Sequence, residues 1–566
     1  MNCADQNPMP ESVNFRRPPE VVMRLARMGS FHQTRLSFMR TLLRRLKKEQ
    51  WTFDRPVWEI DSEGFGRAVY SVIGPVRTYS LVAFSHYLPD DMRSDRVIAT
   101  AWDATFTLFD GVPTTDDLDR LQQNVPKQEA GRISDTEISL SRANRSVRLW
   151  NHVIDKLSIG EQPDCEQLES VGYLVRTTAV YGSGKFGAAD RLTICDRPEL
   201  RGPFQAELLS VWLTRAFAID LVEDIAHSVG GDKAVVIDPD LRKRIGVGNS
   251  TGLGMAPFLF NHPTLINNWM TAREEAIARV RVVNEASATE VAEFVISFER
   301  AKFNFSNWNT AHEIQLNKLA LLGDDLEKMS VYISSENLNH DHPWDRFYRW
   351  AEQELSLEGQ EQLVSLMLEP YGELVDDLTD CMDADEHLSF FIDGSVTVAE
   401  TLSIINSQCQ WALSIDFDQP ESQARFWYTS AEKLEPRVGE RFDEPGEEYE
   451  SPYAIGFYIF QLNQALLSWA DTCSEKKPIA DFLLAQPEHR YTLRRVQNLK
   501  NHPYAEVQDN VIASDMLPIN LLRCKLSFFG ATKFDPRSDR WVRICMYQDS
   551  PYPHELLAPK ISGSAS

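Results

Sequence analysis

The sequence predicts an α+β protein in which a mixed or antiparallel sheet region is joined to a large, predominantly helical core. Three observations predict it. Between residues 67 and 109 the stretches RAVYSVIG, RTYSLVAFSHYL and VIATAWDATFTLF are rich in β-branched and aromatic residues, and Gly74-Pro75, the 89–91 region and Asp110-Gly111 punctuate them as turns. No crossover helix separates the first two of these strands, so they are expected to pair antiparallel, without the start of a dinucleotide-binding fold. From Pro263 to about Asp380, AHEIQLNKLALLGDDLEKMSVYIS and GQEQLVSLMLEPYGELVDDLTD repeat apolar residues at helical spacing.

Taken in order, residues 1–57 read as a basic helical N-terminal arm. Its segment EVVMRLARMGSFHQTRLSFMRTLLRRLKKEQ combines helix-period apolar positions with many arginines, broken at Gly29-Ser30. Those arginines are expected to pair with acids of the same chain or of a partner subunit, which admits a homo-oligomer. Residues 58–138 form the small β-rich region. Residues 139–434 form a mixed, then largely helical core that contains the glycine-rich loops. Within it SLSRANRSVRLWNHVIDK (139–156) predicts a helix, GYLVRTTAVYG (172–182) a strand, PFQAELLSVWLTRAFAIDLVEDIAHSVG a helix, and Val235-Val236-Ile237 a short strand. EPRVGERFDEPGEEYESP (435–452) has the composition of an acidic linker or exposed loop. Residues 453–566 form a C-terminal helical and β-containing region, with AIGFYIFQLNQALLSWAD helical and both LLRCKLSFF and WVRICMYQ strand-like.

Composition narrows the function classes. The 566 residues include 83 acidic against 58 Lys plus Arg, a formal net charge of -25, which opposes a general nucleic-acid partner or an anionic membrane surface. A few convergent arginines still make a local basic pocket feasible, because salt screens the diffuse charge. MNCADQNPMPESVNFRRPP lacks the apolar core of a secretory signal, and LSVWLTRAFAIDLVEDIA is broken by Arg215, Asp220, Glu223 and Asp224. A soluble, cytoplasmic protein with no membrane partner is expected. The eight cysteines are too dispersed for a metal knuckle or a disulfide scaffold, so free thiols are expected.

Two glycine-rich stretches carry the candidate binding residues. In GVGNSTGLGMAPF, Gly246, Gly248, Gly252 and Gly254 accompany Asn249, Ser250 and Thr251, and a helix is expected to begin near Thr251 or Gly252. Such a turn converges backbone N–H groups and short polar side chains on an anion. The stretch has neither a P-loop ending nor a full GxGxxG, since Thr251 stands where the third glycine belongs. In RTTAVYGSGKFGAADR, Gly182, Gly184 and Gly187 allow a tight strand end, with Arg176 and Lys185 to balance negative charge. If both turns face one cleft, they would hold a phosphate- or carboxylate-bearing small molecule. The identity of any cofactor stays open.

Candidate proton-transfer groups are His262 in FNHP and the pair His340 and His342 in ENLNHDHPWDRFYRW. The two histidines of the pair would face alike in an extended segment, but HxH alone, even with Glu336 or Asp345 nearby, assigns no metal site. Asp376, Asp377 and Asp380 have the DDxxD spacing used for magnesium-diphosphate binding in helical isoprenoid enzymes, although aspartate pairs recur throughout this acidic chain. Ser250 lacks a GxSxG elbow. The leading expectation is an enzyme, a transferase or lyase, acting on an anionic small molecule. The alternatives are a non-catalytic metabolite-binding or regulatory protein and an oligomeric interaction scaffold. A nonstandard nicotinamide- or flavin-dependent oxidoreductase and a magnesium-diphosphate enzyme rank below these.

Overall fold

The computed structural model describes residues 15–89, 102–124, 136–177, 196–200, 202–252, 263–335, 337–382, 391–419, 426–430, 435–438, 447–452, 455–509, 518–536 and 541–559. It has a mixed sheet and a large helical region, the α+β class the sequence predicts. The chain divides into a sheet unit (37–251, 529–535 and 543–566) and a helical unit (1–36, 252–528 and 536–542).

The sheet unit is built on strands β1 (Thr52–Ile60), β2 (Gly66–Ile73), β3 (Thr78–Ser85), β4 (Ala104–Asp110), β5 (Glu137–Arg145), β6 (Tyr173–Thr177) and β7 (Gly246–Gly252). With β11 (Phe534–Pro536), β12 (Trp541–Met546) and β13 (Ala558–Pro559) they form one ten-stranded sheet in the order β11-β12-β7-β6-β5-β4-β3-β2-β1-β13. From β1 to β6 each strand pairs antiparallel with the next, whereas β6 and β7 run parallel. The register of β1 slips between Asp54 and Val57, where Pro56 has no N–H to offer a ladder. The interior of β2 to β5 is buried on both faces, and some of its polar side chains pair with one another across the strands. Ser71 and Ser80, opposite one another, are 2.8 Å apart at their hydroxyls.

Against this sheet packs the helix Gln205–Gly230, whose buried apolar residues surround nearly its whole circumference. Ser139 of β5 reaches Ser210 of this helix at 2.7 Å. That contact explains one correction. The segment 139–156, expected as a helix, begins as β5, and only Trp150–Ser158 is helical. Ile138 and Leu140 alternate with Ser139 and Ser141, a period of two with both faces buried. A second correction concerns Val235–Ile237, which joins no ladder. The Val235 N–H donates to the Leu157 carbonyl and the Ile237 N–H to the Glu223 carboxylate, so the segment stays extended without strand partners.

In the helical unit the helix Pro263–Arg281 is buried along nearly its full length, charged residues included. Around it lie Ala288–Ser306, opened by a Ser287/Glu290 capping box, and the helices Glu313–Ser334, Pro343–Glu354 and Leu357–Met367. A second apolar cluster joins the helices Val398–Gln408, Ile455–Cys473, Ile479–Ala485 and Arg490–Asn498. Two further expectations are corrected here. Part of the 435–452 stretch, expected as an open loop, forms β9 (Glu435–Val438) and β10 (Glu447–Pro452) on either side of β8 (Phe426–Ser430). LLRCKLSFF lies in the helix Pro518–Phe529, where Cys524 and Phe528, one turn apart, are both fully buried. Among the described residues no helix is long and apolar enough to cross a membrane.

Candidate functional site

The two glycine-rich stretches leave the sheet from neighbouring strands. Arg176, in β6, pairs in register with Gly248 of β7, and the two strands run parallel. The chain after Thr177 and the chain after Gly252 therefore depart from the same end of the sheet, at the place where its antiparallel order changes to parallel. Gly182, Gly184, Lys185, Gly187, Gly254 and His262 lie outside the described residues. Gly246 through Gly252 form β7, so Thr251 and Gly252, where a helix is expected to begin, belong to a strand, with Ser250 in its backbone as well.

Packing explains two of its glycines. A Cβ on Gly248 would stand 2.6 Å from the Tyr173 ring, and one on Gly246 would stand 2.5 Å from the Met546 carbonyl oxygen. Asn249 is buried and Arg176 half-buried. The entry to β7 is held by Arg215, which is 1 % exposed. Its guanidinium donates to the carbonyls of Ile245 (2.6 Å), Lys243 (3.2 Å) and Ser550 (2.7 Å) and lies 3.9 Å from the Tyr552 ring centre.

A second polar centre, missed at the level of sequence, occupies the interior of the helical unit. Glu274 and Glu361 bind Arg17 and Arg273 between them, and Glu361 also takes Arg27 at 2.6 Å. One turn before Glu361, Glu358 accepts from Arg523 at 2.5 Å, Lys318 at 3.0 Å and Ser30 at 2.8 Å. His32 lies beside it, 3.7 Å from the carboxylate and 3.3 Å from Arg523. Burial first, then Arg523, pushes His32 down to about 3, so it is neutral near pH 7. Burial alone would raise Glu358, but Arg523, Lys318 and His32 bring it down to about 2.

Both shifts have the same sign for stability. Each group binds its proton less readily folded than unfolded, so its contribution is complete above the unfolded value and is lost as pH falls through the folded one. Acid titration of the wild type is expected to lose stability in two stages, the first from about pH 6.5 toward 3 through His32 and the second from about 4.5 toward 2 through Glu358. His32→Gln should flatten the first stage alone, as read from urea midpoints measured across this range. An unchanged profile would remove His32 from the account.

The other candidates resolve into structure. His340 and His342 are exposed and do not share an extended segment, because His340 lies in a bend and His342 adopts φ 50° as the N-cap of Pro343–Glu354. The His342 N–H donates to the Asn284 carbonyl at 2.7 Å. Asp345 is committed to Arg281 and Arg349, both at 2.7 Å. Asp376 takes Arg35 at 2.7 Å and Asp377 takes Arg279 at 2.9 Å, so two carboxylates of the DDxxD spacing form ion pairs on a 3-10 turn. Among the described residues no set of three His, Cys, Asp or Glu side chains is arranged to hold a metal ion. An open depression of about 320 Å³ in the sheet unit is lined by Arg55, Trp58, Asp220, Glu223, Asp224 and His227. Arg55 (2.9 Å) and the Tyr70 hydroxyl (2.6 Å) already occupy Asp220, and Arg242 (2.7 Å) occupies Glu223.

No protein-family model, no curated protein and no solved structure matches this chain. The carboxyl ends of β6 and β7 contain residues singled out by their glycine and polar composition. The interior cluster left one trace in the sequence, the run TAREEAIARVR (271–281), which puts five charges inside a helix that otherwise reads as core.

Proposed function

We propose that the protein binds an anionic small molecule, bearing phosphate or carboxylate, at the carboxyl ends of β6 and β7. The supporting observation is the parallel pairing of these neighbours, which starts both glycine-rich segments from one end of the sheet. In open sheets, the loops that leave the carboxyl ends of neighbouring parallel strands are a recurrent place for ligands. Arg176 supplies positive charge and Asn249 a short polar side chain, with Lys185 on the segment that follows β6. The reaction class of a transferase or lyase would add proton transfer by His262, which follows β7 in the chain.

The test begins with a thermal-shift screen of phosphate- and carboxylate-bearing metabolites, followed by calorimetry on the best hit. Arg176→Ala and Asn249→Ala are each expected to weaken binding, Arg176→Ala by roughly tenfold or more, the scale of a lost charge-assisted hydrogen bond. Wild-type affinity in both folded variants would overturn the proposed site. His262→Gln should leave binding intact and abolish turnover. Undiminished turnover would assign the proton transfer to a group other than His262.

A further inference from the structure

Within the helical unit, the ion pairs around Glu274, Glu358 and Glu361 hold more cations than carboxylates. Arg17, Arg27, Arg273 and Lys318 find their ion-pair partners in Glu274, Glu358 and Glu361, four cations on three carboxylates, before Arg523 is counted. All three carboxylates are buried, and His32 between the two groups is neutral. Cations in excess, with Arg17, Arg273 and Arg523 buried and Arg27 and Lys318 partly so, favour a counter-charge beside them.

Unmet hydrogen-bonding groups lie on the same interior faces. Gln315 has no exposed surface, and neither its Oε1 nor its Nε2 has a partner. The Nε of Arg273, equally buried, also lacks one. Gln315 stands one turn before Lys318 on the inward side of the helix Glu313–Ser334, where Leu319 and Leu322 are also buried. The Lys318 ammonium directs one N–H to the Gly29 carbonyl at 3.2 Å and another to Glu358 at 3.0 Å, which leaves a third. A buried amide with both ends unmatched is strongly unfavourable unless a small polar molecule completes it.

We propose that this cluster is a binding site for one small oxyanion of the phosphate class, held by the Gln315 amide and the Lys318 ammonium. Hydrogen phosphate fits both ends of the amide. Its unprotonated oxygens accept from Nε2 and Nζ, and its O–H donates to Oε1. Sulfate supplies the acceptors without the donor, and a carboxylate does likewise. The site is separate from the carboxyl ends of β6 and β7 and does not depend on them.

The test uses the full chain, dialysed free of phosphate, and calorimetric titration with inorganic phosphate at constant ionic strength. Saturable binding of one phosphate is expected, at least tenfold tighter than sulfate or acetate. Gln315→Leu should weaken it at least tenfold, while Arg176→Ala should leave it unchanged. If Gln315→Leu does not fold, Gln315→Asn, which keeps an amide but withdraws it by one methylene, is read in its place with the same expectation. No saturable phosphate binding, sulfate bound as tightly, or wild-type affinity in the Gln315 variant would each overturn the proposal. Loss in Arg176→Ala would also overturn it, by assigning the phosphate to those strand ends.

Discussion

Glu361→Leu is expected to destabilise the protein by about 3 to 5 kcal/mol, the range for removing one partner of a buried ion pair. Glu361 is wholly buried and accepts from three arginines, Arg17 and Arg27 at 2.6 Å together with Arg273. Leucine would leave Arg27 without its carboxylate and Arg17 and Arg273 with Glu274 alone, charges that the surrounding apolar packing cannot solvate. The arginines outweigh desolvation at this carboxylate and hold it well below the usual range. Glu361→Gln keeps the shape and one acceptor, so a smaller loss is expected. Urea midpoints of the two variants, with the slope checked for constancy, measure both. A Glu361→Leu protein within about 1 kcal/mol of wild type would mean that the cluster does not tie the interior together.

Arg215→Met is expected to cost about 3 kcal/mol or more in the sheet unit, by leaving buried polar groups without partners. Arg215 has no carboxylate partner among the described residues, and burial lowers its affinity for its proton. Its five N–H groups serve three backbone carbonyls, those of Lys243 and Ile245 before β7 and that of Ser550 after β12. Methionine fills much of the volume but donates to none of them. Arg215→Lys should rescue little, since a single ammonium cannot reproduce the planar fork. Because these carbonyls fix the start of β7, the Met variant should also weaken ligand binding at its far end. Proteolysis across the 243–252 segment, increased in the variant, would register the loosened strand. Wild-type stability and proteolysis together would show that Tyr552, which donates to the Arg242 carbonyl at 3.0 Å, anchors this segment without help.

What the sequence revealed follows the range of the forces involved. Strands β2 to β4 and the helix Gln205–Gly230 were legible because their apolar, β-branched or helix-forming composition is local to each segment. Strand β7 was not, since glycine, asparagine, serine and threonine suggest a turn. Only the close approach of Tyr173 and Met546 from neighbouring strands explains why small residues form a strand there. The reverse error fell at Val235–Ile237, whose β-branched residues have the composition of a strand but whose N–H groups are taken by a carbonyl and a carboxylate outside any ladder. The interior ion pairs were least legible. Arg17 meets Glu361 across 344 positions, and no local pattern couples residues so far apart. The composition of the basic arm calls for acidic partners, but which acids depends on tertiary packing.

The most direct test of the proposed function is hydrogen–deuterium exchange with and without the best anionic hit from the metabolite screen. Protection is expected in 173–177 and 246–252, the strands β6 and β7, and should disappear in Arg176→Ala at the same ligand concentration. Ligand-induced protection confined to other segments, or persisting in that variant, would contradict the account.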